Sequence, residues 1–446
     1  MPTLPLPARH VGPATIAALL VGYSALWALL RPAGEPTRAY VGQYLGAVSV
    51  VLLSAALVLI SSLPWVEAWF DGIDRAAIWH RRMAITGLLL LVGHIPLAAS
   101  PIHSRWGGTL GAIGAWGMVG LAVWAILPRW QSVVPRPLRI VVRRLKDVAG
   151  VRHVRRLFGG YDRWRQVHRL TGVLVGAAFL HGLLDGSPFP TSDVLRWSYV
   201  VLGGVGLVFY LYRELIASFV RSLHDYEVDT VTRVAQDLVE IALRPLGRPM
   251  TFRPGQFALV YIEAKDGWHR HPFTLASAPS EDLVRFTVKG LGDYTRALPE
   301  LLEPGMPAVI GGPHGRFDHR KGTARQVWIA GGVGIAPFLS WVRAIEEHPP
   351  PGEVDLYYAF TGSPAPFAEE LAARTSGAAA VRLHLADSAV AGRLTATRVL
   401  AEAAESVQGL SVFMCGPEPM LRDLQRDLRA AGVPARHIHR EYFDWR

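Results

Sequence analysis

The sequence predicts a multi-domain chain: a six-helix transmembrane bundle over residues 1–220, an antiparallel β-barrel domain over 221–321, and a parallel-sheet α/β domain over 322–446. Three observations predict it. The first half carries apolar runs of bilayer length. From about residue 222 the pattern changes to short alternating strands broken by Gly and Pro, and after about 322 it becomes strand, glycine-rich turn, helix. The composition agrees, because 50% hydrophobic and 18% charged residues are too apolar for a soluble chain of this length and too polar for spans alone.

The apolar runs lie near 11–30, 41–63, 80–100, 107–127, 167–187 and 195–217, and a bilayer core takes about 20 residues per helix. Arg9 before the first run raises the possibility of a signal peptide, but no clear small-residue cleavage site follows, so the run reads as a retained span. Residues 1–220 hold 21 Lys and Arg against 9 Asp and Glu, and residues 221–446 hold 25 against 27. The surplus therefore sits among the spans, which argues against nucleic-acid binding. Eleven of the basic residues, against two Asp, lie in the segment 128–166, which the positive-inside rule makes cytoplasmic. An even number of spans then puts both termini in the cytoplasm of a multi-pass protein of the cell (inner) membrane. Within that segment Leu138–Val148 reads as a short amphipathic helix, either anchoring lipid headgroups or also docking the soluble half.

A single cysteine, Cys415, excludes intramolecular disulfides, a Cys-based zinc site and an iron–sulfur cluster, so any redox centre needs other ligands. Four of the 16 histidines fall within or at the edge of spans: His80 and His94 on the third, His168 and His181 on the fifth. Ionisable groups there are costly and mark function. Each pair is 14 or 13 residues apart, roughly 20 Å along a helix. Both spans run from inside to outside, so His80 shares the depth of His168, and His94 that of His181. This suits two bis-histidine b-type haems stacked across the membrane, with six-coordinate iron suited to electron transfer. Fourteen residues return nearly to one helix face and thirteen do not, so the fifth helix is expected to be locally distorted or to present its ligands at different angles. Arg81, Arg82, Arg165 and Arg169 flank the inner pair, either as partners of haem propionates or as ordinary positive-inside flanks.

In the second half, Tyr226–Val231, Leu238–Leu243, Phe257–Ile262 and Val284–Val288 read as barrel strands. Val327–Phe338 is a strand opening through Gly331, Gly332 and Gly334 into a helix begun by Pro337. Without Cβ atoms there, backbone can approach a pyrophosphate at the helix N-terminus.

These motifs resemble those of the ferredoxin–NADP reductase superfamily, in the form used by NADPH oxidases and ferric reductases, including a prokaryotic-type NADPH oxidase. His271-Pro272-Phe273-Thr274-Leu-Ala-Ser277 is similar to the family's flavin motif, and the resemblance implies a cation or base at His271, a ring on the isoalloxazine at Phe273 and a hydroxyl near flavin N5 at Thr274. Gly292-Asp-Tyr294-Thr295 looks like the segment that wraps the FAD pyrophosphate with backbone amides. Val412–Met420 resembles the family's second nicotinamide motif, which implies that Cys415 and Gly416 end a strand beside the nicotinamide; a buried structural thiol is the alternative. The family's C-terminal aromatic over the flavin falls on Phe443, with Trp445 behind it, unless the terminus simply closes the last strand.

The resemblance covers roughly residues 80 to 446. It implies hydride transfer from NADPH, or NADH, to FAD, then single electrons to two haem b groups and an acceptor on the far side, with Cys415, Phe443 and Thr274 at the reacting centre. Superoxide formation from O₂ is the leading expectation; a ferric-chelate or other metal reductase, and a haem-binding membrane subunit serving a partner protein, are the alternatives. Ala98 stands where animal oxidases carry a further histidine, which weakens the oxygen assignment. Thr361 and Arg393 are the candidates for selecting a 2′-phosphate. No calcium loop or proline-rich docking tail is visible, so activity without an obligatory regulatory subunit is expected.

Overall fold

The structure, a computed structural model, describes residues 8–61, 63–98, 104–126, 161–217, 223–264, 267–362, 364–377, 380–403 and 406–441. The chain divides into two compact units, Met1–Phe219 and Val220–Arg446.

The first unit is helical. In order come α1 (Ala8–Leu29), α2 (Thr37–Leu59), α3 (Pro64–Phe70), α4 (Ile73–Leu97), α5 (Arg105–Ile126), α6 (Tyr161–His168), α7 (Thr171–Asp185) and α8 (Asp193–Leu211). Five stretches are long and apolar enough to cross a membrane by length and composition: His10–Leu29, Thr37–Leu59, Arg105–Trp124, Gln166–Asp185 and Asp193–Ile216. The third expected span falls on α4, a 25-residue helix that begins at Ile73 rather than near 80 and is not among those five. Arg75, Arg81, Arg82 and its two histidines dilute its apolar character. The seven-residue α3 was not expected; Pro64 starts it, where a missing N–H costs nothing, and Asp71 ends it in the left-handed region at φ 57°.

The distortion expected in the fifth span is a true interruption. Helix α6 stops at His168, Arg169 and Leu170 form a turn, and α7 restarts at Thr171. The break absorbs the residue by which thirteen falls short of fourteen. The last span ends in a π-helical turn, Tyr212–Ile216. At the centre α2 is buried along most of its length, packing on α4 and α8. Two hydroxyls fix it there: Ser49 donates to the Gly87 carbonyl at 2.8 Å, and Ser54 donates to Leu202 O and accepts from Gly206 N, both at 2.9 Å. Outward-facing positions are apolar, among them Val21, Leu89, Trp116, Val173, Val201 and Val208, each more than half exposed. The segment Leu138–Val148 lies outside the described residues, as does most of the basic connection around it.

The second unit opens with an antiparallel sheet of β1 (Leu223–Ala235), β2 (Leu238–Pro245), β3 (Phe257–Ala264), β4 (Gly267–Thr274), β5 (Val284–Lys289) and β6 (Pro307–His314), ordered β4-β3-β6-β1-β2-β5. A bridge between Leu275 and Phe286 joins its two edges, curling the sheet around a core that includes Tyr226, Ile241, Val260, Phe286 and Ile310. Four strands match the alternating segments. Sequence reasoning passed over β4 and β6 because Gly267–Thr274 mixes His, Arg and Pro, and Pro307–His314 contains two Gly and two Pro. Pro272 is tolerated because β4 is an edge strand. Helix α9 (Asp293–Leu301) follows β5.

The remainder is a five-stranded all-parallel sheet of β7 (Arg325–Gly331), β8 (Glu353–Phe360), β9 (Val381–Asp387), β10 (Leu410–Cys415) and β11 (Ile438–Arg440), ordered β11-β10-β7-β8-β9. Helices α10 (Ala336–Arg343), α11 (Ala368–Ser376), α12 (Ala396–Ala403) and α13 (Glu418–Ala430) cover it. Its three central strands, β10, β7 and β8, are almost wholly buried, as a sheet covered on both faces requires.

Candidate functional site

In the helical unit the four span histidines come together as two pairs. His80 faces His168 with ring centroids 6.4 Å apart and planes at 85°; His94 faces His181 at 6.2 Å and 69°. A metal ion bound by one imidazole nitrogen on each side, at about 2 Å per bond, holds two centroids roughly 6.3 Å apart. Direct hydrogen bonding between the rings would bring them closer.

The other ring nitrogen is engaged in each case. His80 Nδ1 lies 2.8 Å from Ala56 O, His94 Nδ1 2.8 Å from Gly42 O, and His181 Nδ1 2.9 Å from Gly107 O. His168 Nδ1 is 3.4 Å from the Thr171 hydroxyl, and its ring stacks on Trp164 at 4.6 Å. A carbonyl accepts only from N–H, so the contacts at His80, His94 and His181 set the Nδ1–H tautomer and turn the Nε2 lone pair inward. Space is made by glycine. A Cβ on Gly46 would lie 2.6 Å from His94 Nδ1, and one on Gly111 would lie 2.9 Å from His181 Nδ1. Gly42 and Gly46 on α2 thus seat His94 as Gly107 and Gly111 on α5 seat His181.

Two of the flanking arginines have partners within the helical unit. Arg169 is committed to Glu214 in the π-helical turn, with Nε 3.0 Å from Oε2, and Arg82 lies over the Trp79 ring at 5.0 Å. The side chain of Arg165 lies outside the described residues. Arg213, which sequence reasoning missed, is within electrostatic reach of both His80 and His168.

In the second unit, two motifs far apart in sequence meet. The His271 ring stacks on Tyr294 at 4.4 Å and 14°, and on Phe273 at 5.9 Å and 22°. This places the half-buried face of β4, with Pro272 beside it, against the first turn of α9. Thr274 ends β4 and is nearly buried. Gly292 caps α9, and the Thr295 hydroxyl accepts the amides of Leu291 and Gly292, each at 3.0 Å. Those two amides are therefore spent on the turn. Ser277 is fully buried, its hydroxyl accepting from Arg285 N at 3.2 Å and its carbonyl from Ser340 Oγ at 2.8 Å. Through that carbonyl it fastens the sheet to α10.

The three glycines after β7 divide the work in a way their spacing did not reveal. A Cβ on Gly334 would lie 2.3 Å from Cys415 O, and one on Gly331 would lie 2.8 Å from Met420 Sδ. Both permit close packing of the β7 turn on the end of β10, where Gly416 comes within 3.0 Å of the Gly331 Cα when given a Cβ. Only Gly332, at φ +55°, faces open space and leaves backbone free for a ligand. Pro337 begins α10. Replacing Gly334 by Ala is expected to wedge the two strand ends apart, costing about 1–3 kcal/mol. NAD(P)H-driven flavin bleaching should be lost while bound flavin is retained, as measured by stopped-flow absorbance.

Cys415 does end β10, and it is fully buried; burial pushes its thiol well above the usual range, and the Glu441 charge adds to this. The thiol is held neutral within an apolar cluster that includes Phe413 and Phe317. Phe443 and Trp445 lie outside the described residues.

A buried ion network was not foreseen. Arg343 on α10 is only 4% exposed and pairs with both Glu370 oxygens at 2.8 Å, with Glu240 at 2.9 Å and with the Ala276 carbonyl at 3.1 Å. Arg285 extends it to Glu240 at 3.2 Å and Glu281 at 2.9 Å. Burial opposes charge at both Arg343 and Glu370, and their mutual contacts outweigh it, keeping both ionised. The network ties the antiparallel sheet to the parallel one.

Thr361 Oγ1 lies 2.7 Å from Ser388 Oγ, and the Asp387 carboxylate accepts the amides of Gly362 and Ala389 at 3.1 and 2.9 Å. These groups sit at the carboxyl ends of β8 and β9, where open α/β sheets receive ligands. Arg393 is exposed.

The two halves of this unit define a class, a flavin domain joined to a nicotinamide dinucleotide domain. The comparisons agree. An FAD-binding domain family matches residues 224–331 and an oxidoreductase NAD-binding domain family matches residues 328–426. The chain is 30% identical over 237 residues to the ferredoxin–NAD(+) reductase component of the alkene monooxygenase system of Xanthobacter autotrophicus, covering 50% of this chain and 69% of that protein. It is 30% identical over 234 residues to the reductase component of propane 2-monooxygenase from Mycolicibacterium smegmatis, covering 49% and 66%. The FAD/NAD-binding domain of nitric oxide dioxygenase from Vibrio cholerae aligns with a TM-score of 0.44 at 21% identity, covering 49% of this chain and 98% of that one. The chain spans about two thirds of the length of the two reductase components. Through its second unit the chain belongs to the ferredoxin–NAD(P) reductase-type family, and it is an oxidoreductase that moves electrons from NAD(P)H by way of FAD.

Proposed function

We propose that the chain carries those electrons onward through two b-type haems across a membrane, from the cytoplasmic side of the cell (inner) membrane to an acceptor on the far side. The spacing of the histidine pairs carries this reading: both match the separation that a metal held between two imidazole nitrogens would need, and both outer rings rest on glycine, which leaves room a larger residue would fill. His80 and His168 would hold the inner haem, His94 and His181 the outer one. Bound this way, six-coordinate haem supplies one-electron transfer rather than ligand activation at iron. The apolar outward faces of α1, α5, α7 and α8 support the membrane placement, because side chains such as Val21 and Val201 would otherwise meet water. Domain limits of 1–220, 221–321 and 322–446 follow from the same reading.

The protein's own residues do the positioning. His271, Phe273 and Tyr294 form a ring surface on which a flavin would rest, with Thr274 at its edge. The free turn at Gly332 receives a dinucleotide phosphate. O₂ reduced to superoxide is the leading acceptor, and a ferric chelate is the alternative. Purified full-length protein given NAD(P)H is expected to show flavin bleaching, paired b-haem bands and superoxide formation. Rapid ferric-chelate reduction without superoxide would select the alternative acceptor; no haem bands would overturn the transmembrane path.

The nicotinamide preference follows from Asp387. A carboxylate fixed by two amides at the strand end suits a ribose hydroxyl and repels a 2′-phosphate. NADH is therefore expected to be used better than NADPH, and Asp387→Ser is expected to narrow that difference by about tenfold in kcat/KM, since roughly 1.4 kcal/mol separates the two. An unchanged ratio would remove Asp387 from cofactor selection.

A further inference from the structure

The four histidines are not equivalent, and the difference lies in a carboxylate. Asp185, one helical turn after His181, places Oδ2 3.5 Å from His181 Nδ1. Its side chain is 9% exposed. Oδ1 is buried with no hydrogen-bond partner. The absence of a side chain at Gly107 makes this possible, because a Cβ there would come within 2.3 Å of Oδ2. His181 Nδ1 therefore lies between the Gly107 carbonyl at 2.9 Å and a buried carboxylate, whereas His80 and His94 have a carbonyl and His168 a hydroxyl.

We infer that Asp185 is a positioning residue that sets the reduction potential of the outer haem through His181. The inference rests on the bis-histidine reading above. A carboxylate beside the distal nitrogen of a ligating imidazole draws its proton outward and raises the electron donation of the coordinating nitrogen. That favours the oxidised, more positive iron and lowers the potential of the outer centre alone. The outer centre becomes the stronger reductant, which suits an acceptor that takes one electron reluctantly. The cost of burying an acidic side chain with one unpaired oxygen is then explained by function, since packing alone would favour a neutral residue at this place.

The test is an anaerobic redox titration of the full-length protein in detergent, following the haem bands. Asp185→Asn keeps shape and removes charge; Asp185→Ser is a smaller neutral variant should the amide disturb folding. Each is expected to move one of the two midpoints upward by a roughly tenfold change in the reduction equilibrium, 59 mV for one electron, with the other midpoint unchanged. The moving component should be the one missing from His94→Ala. Asp185→Glu, which keeps the charge, should lie nearer the wild-type value. Two bis-histidine haems with both midpoints unmoved in the neutral variants would overturn the inference and leave the haem reading standing. Wild-type protein without haem would instead overturn the reading on which it rests.

Discussion

Replacing His94 or His181 by Ala is expected to abolish electron delivery to any far-side acceptor while flavin reduction by NAD(P)H continues at the wild-type rate. The effect should be total on one readout and absent on the other. On the proposed reading, removing one histidine would leave the outer site with one of its two protein ligands, the remaining imidazole still oriented by its carbonyl contact. Pyridine haemochrome analysis should fall from two haems to one, and stopped-flow flavin bleaching should persist. Loss of both activities would point to collapse of the bundle. A milder version is Gly111→Ala, whose added methyl would come within 3.0 Å of the His181 ring and displace it without deleting it.

Arg343→Met is expected to be the most damaging single change outside the helical unit. It leaves Glu370 and Glu240 facing a buried apolar side chain, and removing one partner of a buried pair costs about 3–5 kcal/mol. Because the guanidinium also accepts no substitute for its bond to the Ala276 carbonyl, the sheets should lose their fixed relation as well as stability. Thermal unfolding followed by flavin fluorescence should shift down by several degrees, and hydride transfer should slow more than flavin binding weakens. A double variant, Arg343→Met with Glu370→Gln, should recover part of the loss. Equal losses in both would mean that the network contributes little.

Much of this architecture could be read from the chain before any fold was known, and the reasons are physical. Long apolar runs and period-two alternation are local signals, so the long apolar helices, four of six barrel strands and the turn after β7 were visible. The histidines were legible because ionisable groups in apolar helices are rare enough that spacing alone suggests pairing. Of the two alternatives left open by the thirteen-residue spacing, a local distortion is the one seen, at Arg169 and Leu170. What escaped reading depends on contacts between distant segments. Nothing in Arg343, Glu240 or Glu370 distinguishes them from solvated helix and strand charges until the two sheets meet. Ser277 sits inside a motif, yet its hydroxyl serves a neighbouring strand. The glycines after β7 looked alike in sequence, although two are required by Cys415, Gly416 and Met420 and only one by open backbone.

The repeated seating of an outer histidine on a glycine pair has a consequence for assembly. Helix α4 packs along α2, and α7 along α5, so each helix pair contains both an outer imidazole and the glycine carbonyl that orients it. Yet His94 belongs to one pair and His181 to the other, so neither pair alone completes a ligand set. On the proposed reading the cofactor is the clasp between two prefabricated halves. Biogenesis would then proceed as a dimerisation within one polypeptide, in which iron protoporphyrin arrives last and locks helix pairs that are already inserted and already shaped to receive it.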